Sequence, residues 1–151
     1  MIEIMVAVAI VGILAALAIP GLQGGIVRDQ VVAALPLADI AKKPVALSWA
    51  TLQALPVDNA GAGLPAPDKI VNNYISAVAV EDGAIQITFG NNVSGVIAGK
   101  ILTLRPAVVE DAPVVPVAWV CGYAPVPGNM TALGQNRTSV PTGYLPVGCR
   151  G

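Results

Sequence analysis

Hydrophobic and polar positions divide the 151-residue chain into three regimes. Residues 4–27, IMVAVAIVGILAALAIPGLQGGIV, carry no charge and only Gln23 as a polar side chain. A stretch with no polar face predicts a helix that meets apolar surroundings on every side. Residues 26–55 place apolar side chains at mixed three and four spacing, with Arg28, Asp29, Lys42 and Lys43 interleaved. That spacing predicts an amphipathic helix lying on a domain, and Pro36 and Pro44 are expected to kink or interrupt it. Residues 56–69, rich in Gly, Pro and Ala, predict a surface loop.

Beyond this loop the period becomes two. Residues 73–80 and 84–89 alternate around Glu81-Asp82-Gly83, which predicts a hairpin; residues 100–105 and 114–121 supply a third and a fourth strand, with Pro116 marking an edge or an irregular start. A sheet of about four antiparallel strands needs apolar cover on one face, and the amphipathic helix provides it. The predicted class is α+β: a long N-terminal helix whose apolar half projects and whose amphipathic half packs on the sheet. Residues 1–27 form the first unit and residues 28–151 the second.

At 1.5 Å per residue the apolar run reaches about 36 Å, against about 30 Å of bilayer hydrocarbon. Three readings fit that length: a buried core helix, a cleavable signal peptide, and a membrane-spanning helix. The first needs protein on every face of the helix. The second has a small-x-small site in Ala16-Leu17-Ala18 but no basic n-region, since Glu3 is the only charge before the run. For a span, Arg28 on the C-terminal flank would draw the following domain to the cytoplasm.

The cysteines argue otherwise. Cys121 and Cys149 are the only two, and they form no CxxC. They read as one structural disulfide, worth roughly 3–4 kcal/mol for a loop of that size and persistent in an oxidising compartment. The alternative is a pair of buried thiols. The two topologies agree if a basic leader once preceded this chain and was removed with the apolar helix left intact.

Composition sharpens the exclusions. The chain is 55% hydrophobic and 11% charged, with 8 Lys+Arg against 9 Asp+Glu and no His. The net charge of −1 leaves no electrostatic footprint for nucleic acid, and the missing imidazole removes the usual general base and nitrogen metal ligand. No phosphate-cradling loop or metal-ligand cluster occurs, so the expectation is no enzyme, no catalytic residue, no metal and no cofactor. Residues 122–151 contain no Asp or Glu, whereas a calcium site needs carboxylates. Sequons at Asn92, Asn129 and Asn136 are a weak signal for glycosylation. Trp49 is the first aromatic residue, so the apolar run carries no aromatic ladder.

The opening MIEIMVAVAIVGILAALAIP closely resembles the N-terminus of mature type IV pilins, with Glu3, Gly12 and Pro20 at the positions of the family's glutamate, glycine and proline. AGKILTLRP, the AWVCG around Cys121 and the YLPVGCR around Cys149 resemble the late strands and C-terminal disulfide region of type IVa major pilins. The family has two residues before the position matched by Met1, so this chain is expected to start two residues late, without the N-methylated terminal residue.

The resemblance implies a ladle-shaped subunit of a homopolymeric surface filament used for adhesion, motility or DNA uptake. The subunit waits in the inner membrane, in contact with the pilus assembly machinery, before it is extruded. It further implies that Glu3 pairs with a neighbour's N-terminal amine and sets axial register. Gly12 and Pro20 would mark a segment that melts in the fibre. Two alternatives are a type II secretion pseudopilin, against which the acid-free tail argues, and a membrane-anchored extracytoplasmic binding module.

Overall fold

The computed structural model describes the side chains of residues 1–18 and 23–151; Pro20, expected to kink the helix, lies outside the described residues. One helix, α1, spans Ile2–Leu52. Its second half buries Val27, Val31, Ala34, Ala38, Ala41, Val45 and Trp49, a stripe at four-three spacing that keeps one face on the sheet. Alanines at 34, 38 and 41 let the helix axis approach the strands closely.

The interruption expected at Pro36 and Pro44 does not occur, because α1 runs through both. Each proline deprives the carbonyl four residues earlier of its donor. Those carbonyls belong to Val32 and Ile40, both on the exposed side of α1 at 47% and 49%. Water can satisfy them there, and the packing of the opposite face outweighs the local cost of about 3 kcal/mol per proline. The helix ends at Gln53, which takes a left-handed conformation (φ 51°) and donates its N–H to Trp49 O at 3.0 Å.

Five strands follow: β1 (Ile75–Glu81), β2 (Ala84–Phe89), β3 (Ile101–Val108), β4 (Ala118–Cys121) and β5 (Thr131–Ala132). They form one antiparallel sheet in the order β1-β2-β3-β4, and β5 pairs with β3. This is the expected α+β fold. The hairpin turn at Asp82-Gly83 has positive φ at both residues (49° and 84°). A Cβ at Gly83 would also lie 2.6 Å from Leu55 Cδ1, so the tip is held against the chain just past α1. The helix face of the sheet presents Val78, Val80, Ile85, Ile87, Phe89, Leu102 and Leu104 to the stripe on α1.

Two strand ends differ from the sequence reading by three residues or more, and one strand was not foreseen. β4 begins at Ala118 rather than at 114, since Pro113 and Pro116 confine the preceding segment to a loop. β3 runs past 105 through Pro106. In an antiparallel strand a residue's N–H and C=O point the same way. The Pro106 carbonyl accepts from Leu133 N–H, on the side where β2 has ended, so the absent donor falls where no β2 partner remains. β5 occupies the lane that β2 vacates; two residues with no alternation are too short to show a period.

Substituting Ala38 with leucine is expected to overpack the α1–sheet contact and cost about 1–3 kcal/mol. Thermal unfolding followed by the near-ultraviolet signal of the domain measures it, and an unchanged midpoint would show that the helix is not seated at this depth.

Candidate assembly surface

The two ends of the chain are built on opposite physical terms. From Met1 to Leu17, eleven large aliphatic and methionine side chains stand exposed, Val6 at 52% and Ile2 at 78% among them. They surround the helix, and among the described residues no other part of the subunit covers them. Burying that many side chains is worth on the order of 20 kcal/mol, so this surface is stable only in lipid or against other apolar helices. The helix is long and apolar enough to cross a membrane.

Two of the expected site residues lie on this bare segment. Glu3 is in the first turn of α1, where the helix dipole favours an anion, and it is exposed. Among the described residues no cation lies within ion-pair distance of it. Gly12 sits mid-helix, and a Cβ built there would meet nothing within 4 Å. The subunit itself therefore gives no steric reason for glycine at 12. Ala7, Ala9, Gly12, Ala15, Ala16 and Ala18 together leave backbone open to close approach by another helix.

The other end is closed. Cys121 and Cys149 are disulfide-bonded with their Cα atoms 4.6 Å apart, joining the end of β4 to η3 (Val147–Cys149), a short 3-10 turn near the C-terminus. Gly122 follows with φ 56°, and a Cβ there would lie 2.8 Å from Cys149 O. Only glycine fits the close crossing. Tyr123 N–H donates to Cys149 O at 3.0 Å, and Tyr123 OH donates to Thr138 O at 2.9 Å.

Sequence reasoning missed the polar lock on the outer face of the sheet. Thr103 and Gln86 face each other across β3 and β2 at 0% and 3% exposure. Thr103 Oγ1 donates to Gln86 Oε1 and accepts from Arg137 N–H at 2.9 Å, while Gln86 Nε2 donates to Gln135 O at 3.1 Å. Both side chains are satisfied, so their burial holds the 133–139 segment on the sheet without leaving an orphaned group. Arg137 extends the attachment through an ion pair to Glu81 at 2.8 Å. Polar residues at alternate strand positions read as solvent-facing, and nothing local signals the loop that covers them.

The same structure sorts the sequons. Asn136 is spent internally: its Nδ2 donates to Gly122 O at 2.9 Å and its Oδ1 accepts from Thr138 N–H and Thr138 Oγ1. Asn129 lies exposed in the turn closed by Met130 N–H on Pro127 O. A second buried amide was also unforeseen. Asn59 bridges the loop after α1 to β1, donating to Pro65 O and Val78 O and accepting from Val80 N–H.

Residues 27–150 match the family model for pilin, described as a bacterial filament protein. The chain is 35% identical over 158 residues to the type IV major pilin protein PilE1 of Neisseria gonorrhoeae, an alignment covering 99% of this chain and 84% of that protein. It is 35% identical over 160 residues to a fimbrial protein of Neisseria meningitidis serogroup A, covering 99% and 91%. The fimbrial protein EcpC of Eikenella corrodens is 30% identical over 153 residues, covering 99% and 88%.

Proposed function

Because the chain belongs to the pilin family and is a structural subunit of a type IV pilus, we propose that it works as two parts with separate tasks. Residues 1–27 hold the subunit in the inner membrane and then form the filament core; residues 28–151 form the globular coat. The observation that carries this reading is the bare apolar half of α1, continuous in one helix with a half whose buried stripe is fully used by the sheet. An apolar helix with no intramolecular cover needs lipid before assembly and copies of itself afterwards.

Assembly is then an exchange of solvents. Lipid is as apolar as leucine, so the transfer gains little from the hydrophobic effect itself. It depends on van der Waals packing, which small residues such as Gly12 permit, and on polar contacts between helices. Glu3 supplies one such contact by accepting the terminal amine of a neighbouring subunit, which fixes axial register. Gly12 and Pro20 weaken the helix between them and let it unwind when the fibre is pulled. The assembly machinery meets the subunit at the membrane stage.

Filaments sheared from cells that express this chain should contain it as the main component by mass spectrometry. They should be absent by negative-stain microscopy when its gene is deleted. Surface filaments that persist without it would overturn the major-subunit reading, and detection of the chain only in the membrane fraction would favour an anchored binding module.

A further inference from the structure

Where α1 passes from its bare half to its domain half it carries two consecutive glycines, Gly24 and Gly25. Residues 1–18 are exposed throughout, and the helix commits to the domain at Val27, which is 3% exposed. Just beyond it, Arg28 Nη2 donates to Gly143 O at 2.9 Å and Gln30 Oε1 accepts from Ser94 N–H at 2.9 Å. The two glycines lie between these anchors and the bare half. Apart from the helix's own backbone, a Cβ built on either would meet no atom within 4 Å.

Packing within the subunit therefore gives no reason for glycine at either position, and helix stability argues against it. A glycine lowers the helical equilibrium at its position about fivefold relative to alanine, so the pair lowers it about twentyfold. Close approach by another helix favours small residues on one face. Consecutive residues stand about 100° apart around the axis, so one such face does not account for both. The domain also leaves space beside the pair. Gln23, Ile26 and Val27 line a hollow of about 300 Å³ with Ser94 and Val96 of the loop after β2 and Tyr144 of the short turn η2 (Thr142–Tyr144). Gln23 is on the bare side of the glycines, and the hollow admits a tilt of that side toward the domain.

We infer that Gly24-Gly25 is a pivot. The helix opens locally at the pair, and the apolar half swings relative to a domain that Val27, Arg28 and Gln30 keep fixed on the rest of α1. The inference rests on the two-part reading proposed above and supplies the joint between the parts. It is separate from the weak stretch proposed between Gly12 and Pro20, which lies within the apolar half. Lipid and neighbouring copies impose different tilts on that half, and the pivot lets it follow each with the domain fold intact.

The test compares the full chain, with its disulfide intact and in detergent micelles, with Gly24→Ala/Gly25→Ala. Hydrogen exchange followed by NMR reads the amides of residues 27–29, whose helical acceptors are the carbonyls of residues 23–25. Their protection should rise about twentyfold in the double-alanine chain, while the amides of β2 and β3 keep theirs. Pulsed electron paramagnetic resonance reads the swing. Nitroxides on Leu14→Cys and Lys100→Cys straddle the pair, those on Ile40→Cys and Lys100→Cys do not, and all three positions are exposed. Among the described residues no native free thiol competes for the label. The straddling distance distribution should be the broader of the two and should narrow in the double-alanine chain. Unchanged protection at 27–29, or a straddling distribution as narrow as the other, overturns the pivot. Unchanged protection together with loss of filaments from cells expressing the double-alanine chain assigns the glycines to close approach by a second copy and overturns it as well. The two-part reading fails separately, if the unmodified chain forms no filaments.

Discussion

Cells expressing Glu3→Ala should hold the subunit in the membrane at the normal level and lose most of their surface filaments. A carboxylate in an apolar helix costs about 2.5–3.5 kcal/mol at the bilayer centre and less near the interface, so its removal cannot weaken insertion. Glu3 is exposed, and among the described residues no cation of the same subunit reaches it. Any compensation has to come from another copy. In a filament core the pair is shielded from water, and deleting one partner leaves the other charge buried at a cost of about 3–5 kcal/mol. That corresponds to a hundredfold or greater loss in the equilibrium for adding each subunit. Membrane and sheared fractions probed by immunoblot, with microscopy of the sheared fraction, measure the split. Glu3→Asp, which keeps the charge on a shorter arm, should restore part of the filament yield. Normal piliation by Glu3→Ala would remove the register role, and loss of the protein from the membrane would show that Glu3 serves insertion instead.

The parts of this fold that were legible in the sequence are those where one period governs many residues. The bare helix followed from a run with no polar face, and the β1–β2 hairpin from alternation broken by Asp82-Gly83, a pair whose positive φ values suit a tight turn. Proline misled the reading in α1, and β3 passes through Pro106 for the same physical reason. At 36 and 44 the orphaned carbonyls lie on the wet side of α1, and at Pro106 the missing donor falls beyond the end of β2. Whether a proline breaks an element depends on where its lost hydrogen bond would have pointed, which local sequence does not specify. The buried amides of Asn59 and Gln86 were hidden for a related reason. Their partners, Val78, Val80 and Gln135, are brought to them by the topology from 19 to 49 residues away. Glu3 stands out in the sequence as a lone carboxylate at the mouth of an apolar run, and its proposed role in register comes from the family resemblance.

Replacing both cysteines with serine should lower the melting temperature of the domain by roughly 4–20 °C. Removing a native disulfide costs about 2–5 kcal/mol, and near 150 residues each kcal/mol shifts the midpoint by about 2–4 °C. The bond ties β4 to η3 across the segment that holds the outer face of the sheet through Thr138, Arg137 and Gln135. Without it, ordering residues 122–149 depends on those hydrogen bonds and on the half-exposed Arg137–Glu81 pair, and an exposed ion pair contributes at most about 1 kcal/mol. The serine pair should therefore loosen the C-terminal segment before the sheet itself unfolds. Trp119 and Tyr123 flank Cys121, so near-ultraviolet circular dichroism of the full chain in detergent reads this region while α1 still dominates the far-ultraviolet signal. The native chain with reductant should melt like the double-serine chain. Coincident melts of oxidised and reduced protein would show that the Thr103–Gln86 lock alone holds the segment.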